Sequence, residues 1–84
     1  MRLIITSRFE RSAGKLREPQ ASMLNAALRR FVADPRDPLL RTHKLRGKLD
    51  GYWAFSVEGD LRVLFRWDGD VVRLIDLGSH DQVY

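Results

Sequence analysis

Two histidines stand in the sequence, His43 and His80. Imidazole is the one side chain that both gives and takes a proton near pH 7 without tuning. Cysteine is absent, which excludes a thiol nucleophile, a thiolate zinc site and a disulfide scaffold. No His/Asp/Glu group has metal-ligand spacing, and no glycine-rich phosphate loop precedes a helix, so no cofactor and no metal are expected. The chemistry left is side-chain acid/base catalysis supported by arginine electrostatics, which suits phosphodiester cleavage. Twelve of the fifteen basic residues are Arg, whose planar fork fits a phosphate bidentately. Taken singly, each histidine reads as an ordinary surface residue.

The charge is unevenly placed. Residues 36–48 hold five bases and one acid, an excess equal to the +4 of the whole chain. The rest of the chain is balanced. A neutral body with one basic segment points to an anion-binding site, and a polyanion is the leading candidate. Arg41, Lys44, Arg46 and Lys48 within that segment are the expected phosphate contacts.

The 84 residues suffice for one domain, residues 1–84, with a thin core. Leu3-Ile4-Ile5 reads as a short strand. Ser7-Arg8-Phe9-Glu10 matches a capping box opening a helix with Phe9, Ala13 and Leu16 on one face. Pro19 suits the first turn of a second helix that carries Met23, Leu24, Ala27, Leu28, Phe31 and Val32 and ends before Asp34-Pro35. Residues 35–51 form a long connection without periodicity, a type of loop that is commonly functional. Three strands follow, from Tyr52 to Val57, Leu61 to Trp67 and Val71 to Leu77, joined at Glu58-Gly59-Asp60 and Asp68-Gly69.

A three-residue first turn pairs Val57 with Leu61, Phe55 with Val63 and Trp53 with Phe65, all on one apolar face. The opposite face then carries Tyr52, Ala54, Ser56, Arg62, Leu64, Arg66, Val71, Arg73 and Ile75. The expected fold is α+β in the order βααβββ: a mainly antiparallel four-stranded sheet with two helices packed on one face. The uncovered face offers Arg62, Arg66 and Arg73 as phosphate contacts, with His43 entering from one side and His80 and Tyr84 from the other. No apolar run is long enough to span a membrane. The first residues are too few for a secretory signal, so the cytoplasm is the expected compartment.

This order of elements resembles the RelE superfamily of bacterial toxin–antitoxin systems. So do His43-Lys44-Leu45-Arg46-Gly47, Gly51-Tyr52, Asp60-Leu61-Arg62-Val63-Leu64-Phe65 and the end from Leu77-Gly78-Ser79-His80 to Tyr84. The resemblance implies a toxin that cleaves messenger RNA, typically on the ribosome. It also implies neutralisation by a cognate antitoxin peptide in a toxin–antitoxin hetero-oligomer. The implied reaction is attack of a ribose 2′-OH on the adjacent phosphate, which needs no metal.

By the same resemblance, His43 takes the 2′-OH proton, with Asp60 as the alternative base. Arg62 stabilises the phosphorane, supported by Arg46 and Lys48. His80 protonates the leaving 5′-oxygen, and Tyr84 stacks or orients a base. The match is incomplete, because Ala54 and Ser56 stand where branches of the family carry lysines or a further histidine. The chain is expected to end at Tyr84 without a C-terminal helix. Two other readings stay open: a gyrase poison of the same fold, and a non-catalytic RNA-binding or degenerate toxin.

Overall fold

A computed structural model describes residues 1–84. Thr6 organises the start of the chain. Its hydroxyl donates to the Leu74 carbonyl at 2.7 Å and accepts from the Phe9 amide at 3.2 Å. One side chain thus ends strand β1 (Arg2–Ile5) and caps helix α1 (Ser7–Gly14). The expected cap at Ser7 is displaced by one residue, because Thr6 also has a partner on the neighbouring strand. Helix α2 (Gln20–Ala33) follows as expected.

The connection after α2 has more structure than its composition announces. It holds a short 3₁₀ turn (Pro38–Leu40), a two-residue strand β2 (His43–Lys44) and a second 3₁₀ turn (Gly47–Leu49). Asp37 opens the first turn by accepting from the Leu39 amide at 2.9 Å. Strands β3 (Trp53–Glu58), β4 (Leu61–Asp68) and β5 (Val71–Gly78) and a one-turn helix α3 (His80–Val83) complete the chain.

The sheet has five strands in the order β1-β5-β4-β3-β2, not four. The extra strand is β2, which pairs antiparallel to β3 through His43–Ala54 and Lys44–Trp53. Two residues give no period to read, and only the sheet edge makes them a strand. β1 lies parallel to β5, and the other pairs are antiparallel.

The expected pairs Phe55–Val63 and Trp53–Phe65 are present. Nearer the turn, Glu58 pairs with Leu61 and Val57 bulges out, so a two-residue tip plus a bulge replaces the three-residue turn. The extra residue is absorbed and the upstream faces are unchanged. The tip of the next hairpin is Gly69-Asp70, one residue later than expected. That shift sets Arg66 opposite Arg73 but keeps both on the predicted face.

Both helices cover the other face. Phe31 of α2 is fully buried, stacked on Phe55 at 4.7 Å and edge-on to Phe65 at 5.1 Å. Truncating so enclosed an aromatic typically costs about 3–5 kcal/mol. Phe9, Leu24, Ala27, Val63, Val72 and Leu74 fill the same core.

The face predicted to be uncovered is partly closed. Leu45, Ala54, Leu64 and Val83 form a second small cluster there, with Tyr52, Leu49 and Ile75 at its margin. The two-residue strand supplies the approach of Leu45, and α3 supplies Val83.

Candidate active site

The site is built at the end of this face where β4 begins. Arg62 lies on β4 between Ser56 of β3 and Gly78 of β5, its direct cross-strand partners. Its side chain is about a quarter exposed. Nε is enclosed and makes no hydrogen bond, and it sits 3.9 Å from Asp60 Oδ1. Asp60 therefore balances the charge across a short gap. The terminal nitrogens are left to take an anion, for which a guanidinium fork is well shaped.

Asp60 serves a second group. The same Oδ1 accepts from the His80 amide at 3.3 Å, which ties the start of α3 to the β3–β4 turn. α3 also carries a full capping box. The Ser79 hydroxyl accepts from the Gln82 amide, and Gln82 Oε1 accepts from the Ser79 amide at 2.7 Å. This helix corrects the expectation that none follows the last strand. Ser79-His80-Asp81-Gln82 is the Ser-x-x-Gln signature of such a box, so the signal was in the sequence. Gln82, Ser79 and Gly78 are thus site-building residues that the chemistry-led reading passed over.

The helix sets His80 beside Tyr84, and Tyr84 beside Arg62. The His80 and Tyr84 rings meet edge to face at 4.4 Å, and the Arg62 guanidinium lies 5.9 Å from the Tyr84 centroid. His80 Nδ1 is 3.7 Å from the exposed carboxylate of Asp81. Asp60, Arg62, His80 and Tyr84 therefore form one constellation.

His43 stands on the other flank. It occupies edge strand β2, on the same face as Arg62 but two strands across and one pleat along, about 12 Å between Cα atoms from ordinary strand spacings. Its Nδ1 is 2.8 Å from the Arg41 carbonyl. A carbonyl can only accept, so Nδ1 carries the proton. In that tautomer Nε2 of the exposed ring carries the lone pair that a base requires. Arg41, with φ +52°, ends the first 3₁₀ turn and orients that ring through its backbone.

The other predicted phosphate contacts divide. Arg46 and Lys48 are exposed in the turn whose Leu45 and Leu49 pack against the small cluster, so they rim the same face. Arg66 and Arg73 are exposed on it, farther along β4 and β5. Lys44 is not brought there. It alternates with His43 and pairs with Trp53, a residue of the helix-covered face. Arg36 also belongs to that side, with its guanidinium 5.0 and 5.2 Å from the rings of Trp53 and Trp67. The basic segment thus straddles the sheet edge, and only part of its charge serves the site.

A cavity of about 440 Å³ opens beside Asp60, between α1, the β3–β4 turn and the start of α3. Glu58, Asp60 and Asp76 line it against a single Lys15. That sign repels a phosphate, so this cavity is a poor receptor for a polyanion.

Comparison with known proteins agrees with this architecture. A family model described as "Bacterial toxin of type II toxin-antitoxin system, YafQ" matches residues 1–84. No curated protein matches. Among solved structures, YafQ from E. coli strain BL21(DE3) is similar with a TM-score of 0.82 at 18% identity, over 100% of this chain and 99% of that one. The E. coli DinJ-YafQ complex gives 0.76 at 19% identity, covering 100% and 99%. The toxin–antitoxin complex RelBE2 from Mycobacterium tuberculosis gives 0.65 at 24% identity, covering 94% and 96%. These likenesses show the RelE-like fold. With the family match over its whole length, the chain belongs to the YafQ family of bacterial type II toxin–antitoxin toxins.

Proposed function

We propose that this toxin is an endoribonuclease that cleaves messenger RNA on the ribosome by attack of a ribose 2′-OH on the adjacent phosphate. The observation that carries the reading is the gathering of Asp60, Arg62, His80 and Tyr84 at one end of a sheet face that also bears His43 with a free Nε2. His43 takes the 2′-OH proton. The 2′-oxygen bonds to phosphorus, and the bond to the 5′-oxygen breaks. His80 donates a proton to that oxygen. Arg62 holds the phosphoryl oxygens as charge builds on them. Tyr84 packs on the His80 ring and offers a surface to a base.

Asp60 is better suited to positioning than to proton abstraction, because its Oδ1 already faces Arg62 and the His80 amide. Ser56, opposite Arg62, supplies no base of its own. The reading therefore needs no third proton-transfer group. The antitoxins in the DinJ-YafQ and RelBE2 complexes support a cognate antitoxin as this chain's protein partner.

The test is cleavage of messenger RNA in a translating extract by wild type, His80→Ala and Arg62→Ala. Each substitution is expected to slow cleavage by about 10²–10³-fold, the usual effect of removing one acid or one oxyanion contact. Full-rate cleavage by both variants would exclude the assignment. Growth arrest without RNA cleavage, accompanied by inhibited DNA supercoiling, would favour the gyrase-poison alternative.

A further inference from the structure

Arg66 of β4 and Arg73 of β5 are direct cross-strand partners on the same sheet face. Like charges placed opposite each other on adjacent strands repel and weaken the pairing. Neither guanidinium takes part in any of the protein's ion pairs, although the other end of the same face provides Asp60 for Arg62. Both side chains are exposed. Arg66 is nonetheless held in place, with its guanidinium 5.1 Å from the Tyr52 centroid. The Cβ of any larger residue at Gly51 would lie 3.8 Å from its terminal nitrogen. That is an ordinary contact distance, and it is the φ of +94° at Gly51 that favours glycine there. An uncompensated pair of guanidinium groups, one of them held against a tyrosine ring, is suited to an anion.

Position selects the anion. Arg62 and Arg66 are four residues apart on one strand, about 14 Å along the sheet at the usual rise per residue. One phosphate cannot reach both. A single strand with one phosphate on Arg62 runs over Arg66 and Arg73 if it follows β4, past the small cluster of Leu64 and Ala54. We propose that Arg66 and Arg73 form a second phosphate subsite, separate from the cleavage site, that holds an RNA strand at least one nucleotide step away from the scissile bond. Tyr52 positions Arg66 within it. This inference rests on the nuclease reading for the direction of its argument, but it concerns binding and is measured without cleavage.

The experiment uses the purified toxin and fluorescent 2′-O-methyl oligonucleotides, which lack the attacking hydroxyl. A dinucleotide and a hexanucleotide are titrated into wild type and the double variant R66Q/R73Q at several salt concentrations. The hexanucleotide should lose at least about tenfold in affinity, the worth of one charge-assisted hydrogen bond. The dinucleotide should lose much less. The hexanucleotide's salt dependence should also become shallower, by about 0.7 per phosphate contact removed. Equal losses for both lengths, or none, would overturn the proposal. So would a double variant that binds both oligonucleotides normally but no longer binds the cognate antitoxin, which would assign the pair to an acidic protein partner. Circular dichroism of the variant separates each result from unfolding. Failure of the nuclease reading looks different: no cleavage of RNA, with the length-dependent loss intact.

Discussion

Asp60 shows how much one turn residue can organise. A Gly-Asp hairpin tip is routine, and from spacing alone Asp60 reads equally well as a base or as turn filler. Its carboxylate lies 3.9 Å from Arg62 Nε and 3.3 Å from the His80 amide, so it links Arg62 to the helix that carries His80. Asp60→Asn keeps the shape and removes the charge. It is expected to lower kcat by about tenfold with little change in KM, and to speed amide exchange at His80, as the charged hydrogen bond is lost. A unchanged exchange rate at His80 would show that the contact does not hold α3. The face that Arg62 occupies was legible because strand parity fixed it. The tautomer of His43 was not legible. It depends on the Arg41 carbonyl, which a left-handed residue turns toward the ring.

At the scale of elements, α3 decides whether there is a site at all. It presents His80 and Tyr84, and it pins itself to the sheet with Val83. Gly78 precedes it, and a Cβ there would come within 2.7 Å of Gln82 Oε1 and 3.0 Å of Gln82 Cβ. Gly78→Ala must push Gln82 out of its bond to the Ser79 amide. The expected result is a loss of about 0.5–2 kcal/mol, the usual worth of a cap, and a comparable loss of cleavage rate. Thermal melts and rate measurements on the one variant check both. Elements with strong periodicity, α2 and β3 to β5, could be read from the sequence, as could the faces they present. The two-residue β2 and the bulges at Val57 and near Ile75 could not. Their cause is pairing with a neighbouring strand, which leaves no local pattern. Lys44 was misplaced for the same reason: once β2 is a strand, it must point away from His43.

For the whole molecule, the net charge of +4 is a poor guide to the site. Arg36 and Lys44 spend part of the basic segment on the helix-covered side, while Arg62, Arg66 and Arg73 add charge to the sheet face from outside that segment. Stability has its own electrostatic anchor, remote from this chemistry. Buried Asp76 joins β5 to α1, accepting from the Ser12 hydroxyl at 2.6 Å, Arg8 Nε at 2.9 Å and the Leu77 amide at 2.8 Å. Burial works to raise its pKa, but the Ser12 and Leu77 hydrogen bonds and the Arg8 charge outweigh it and hold the carboxyl below its ordinary value. The unfolded carboxyl titrates near ~3.9, so this contribution is complete above that range and is lost as pH falls through the lower folded value. Asp76→Ala should cost about 1–3 kcal/mol at neutral pH and flatten the acid limb of the stability curve. Denaturant melts from pH 7 to pH 2 would show it, and an unchanged acid limb would contradict it. The central claim is the reaction itself, and the ends of the cleaved RNA report it most directly. Mass spectrometry of messenger RNA fragments released on translating ribosomes should find 2′,3′-cyclic phosphate and 5′-hydroxyl termini. Termini with 3′-hydroxyl and 5′-phosphate, or intact messenger RNA at growth-arresting toxin levels, would contradict the account.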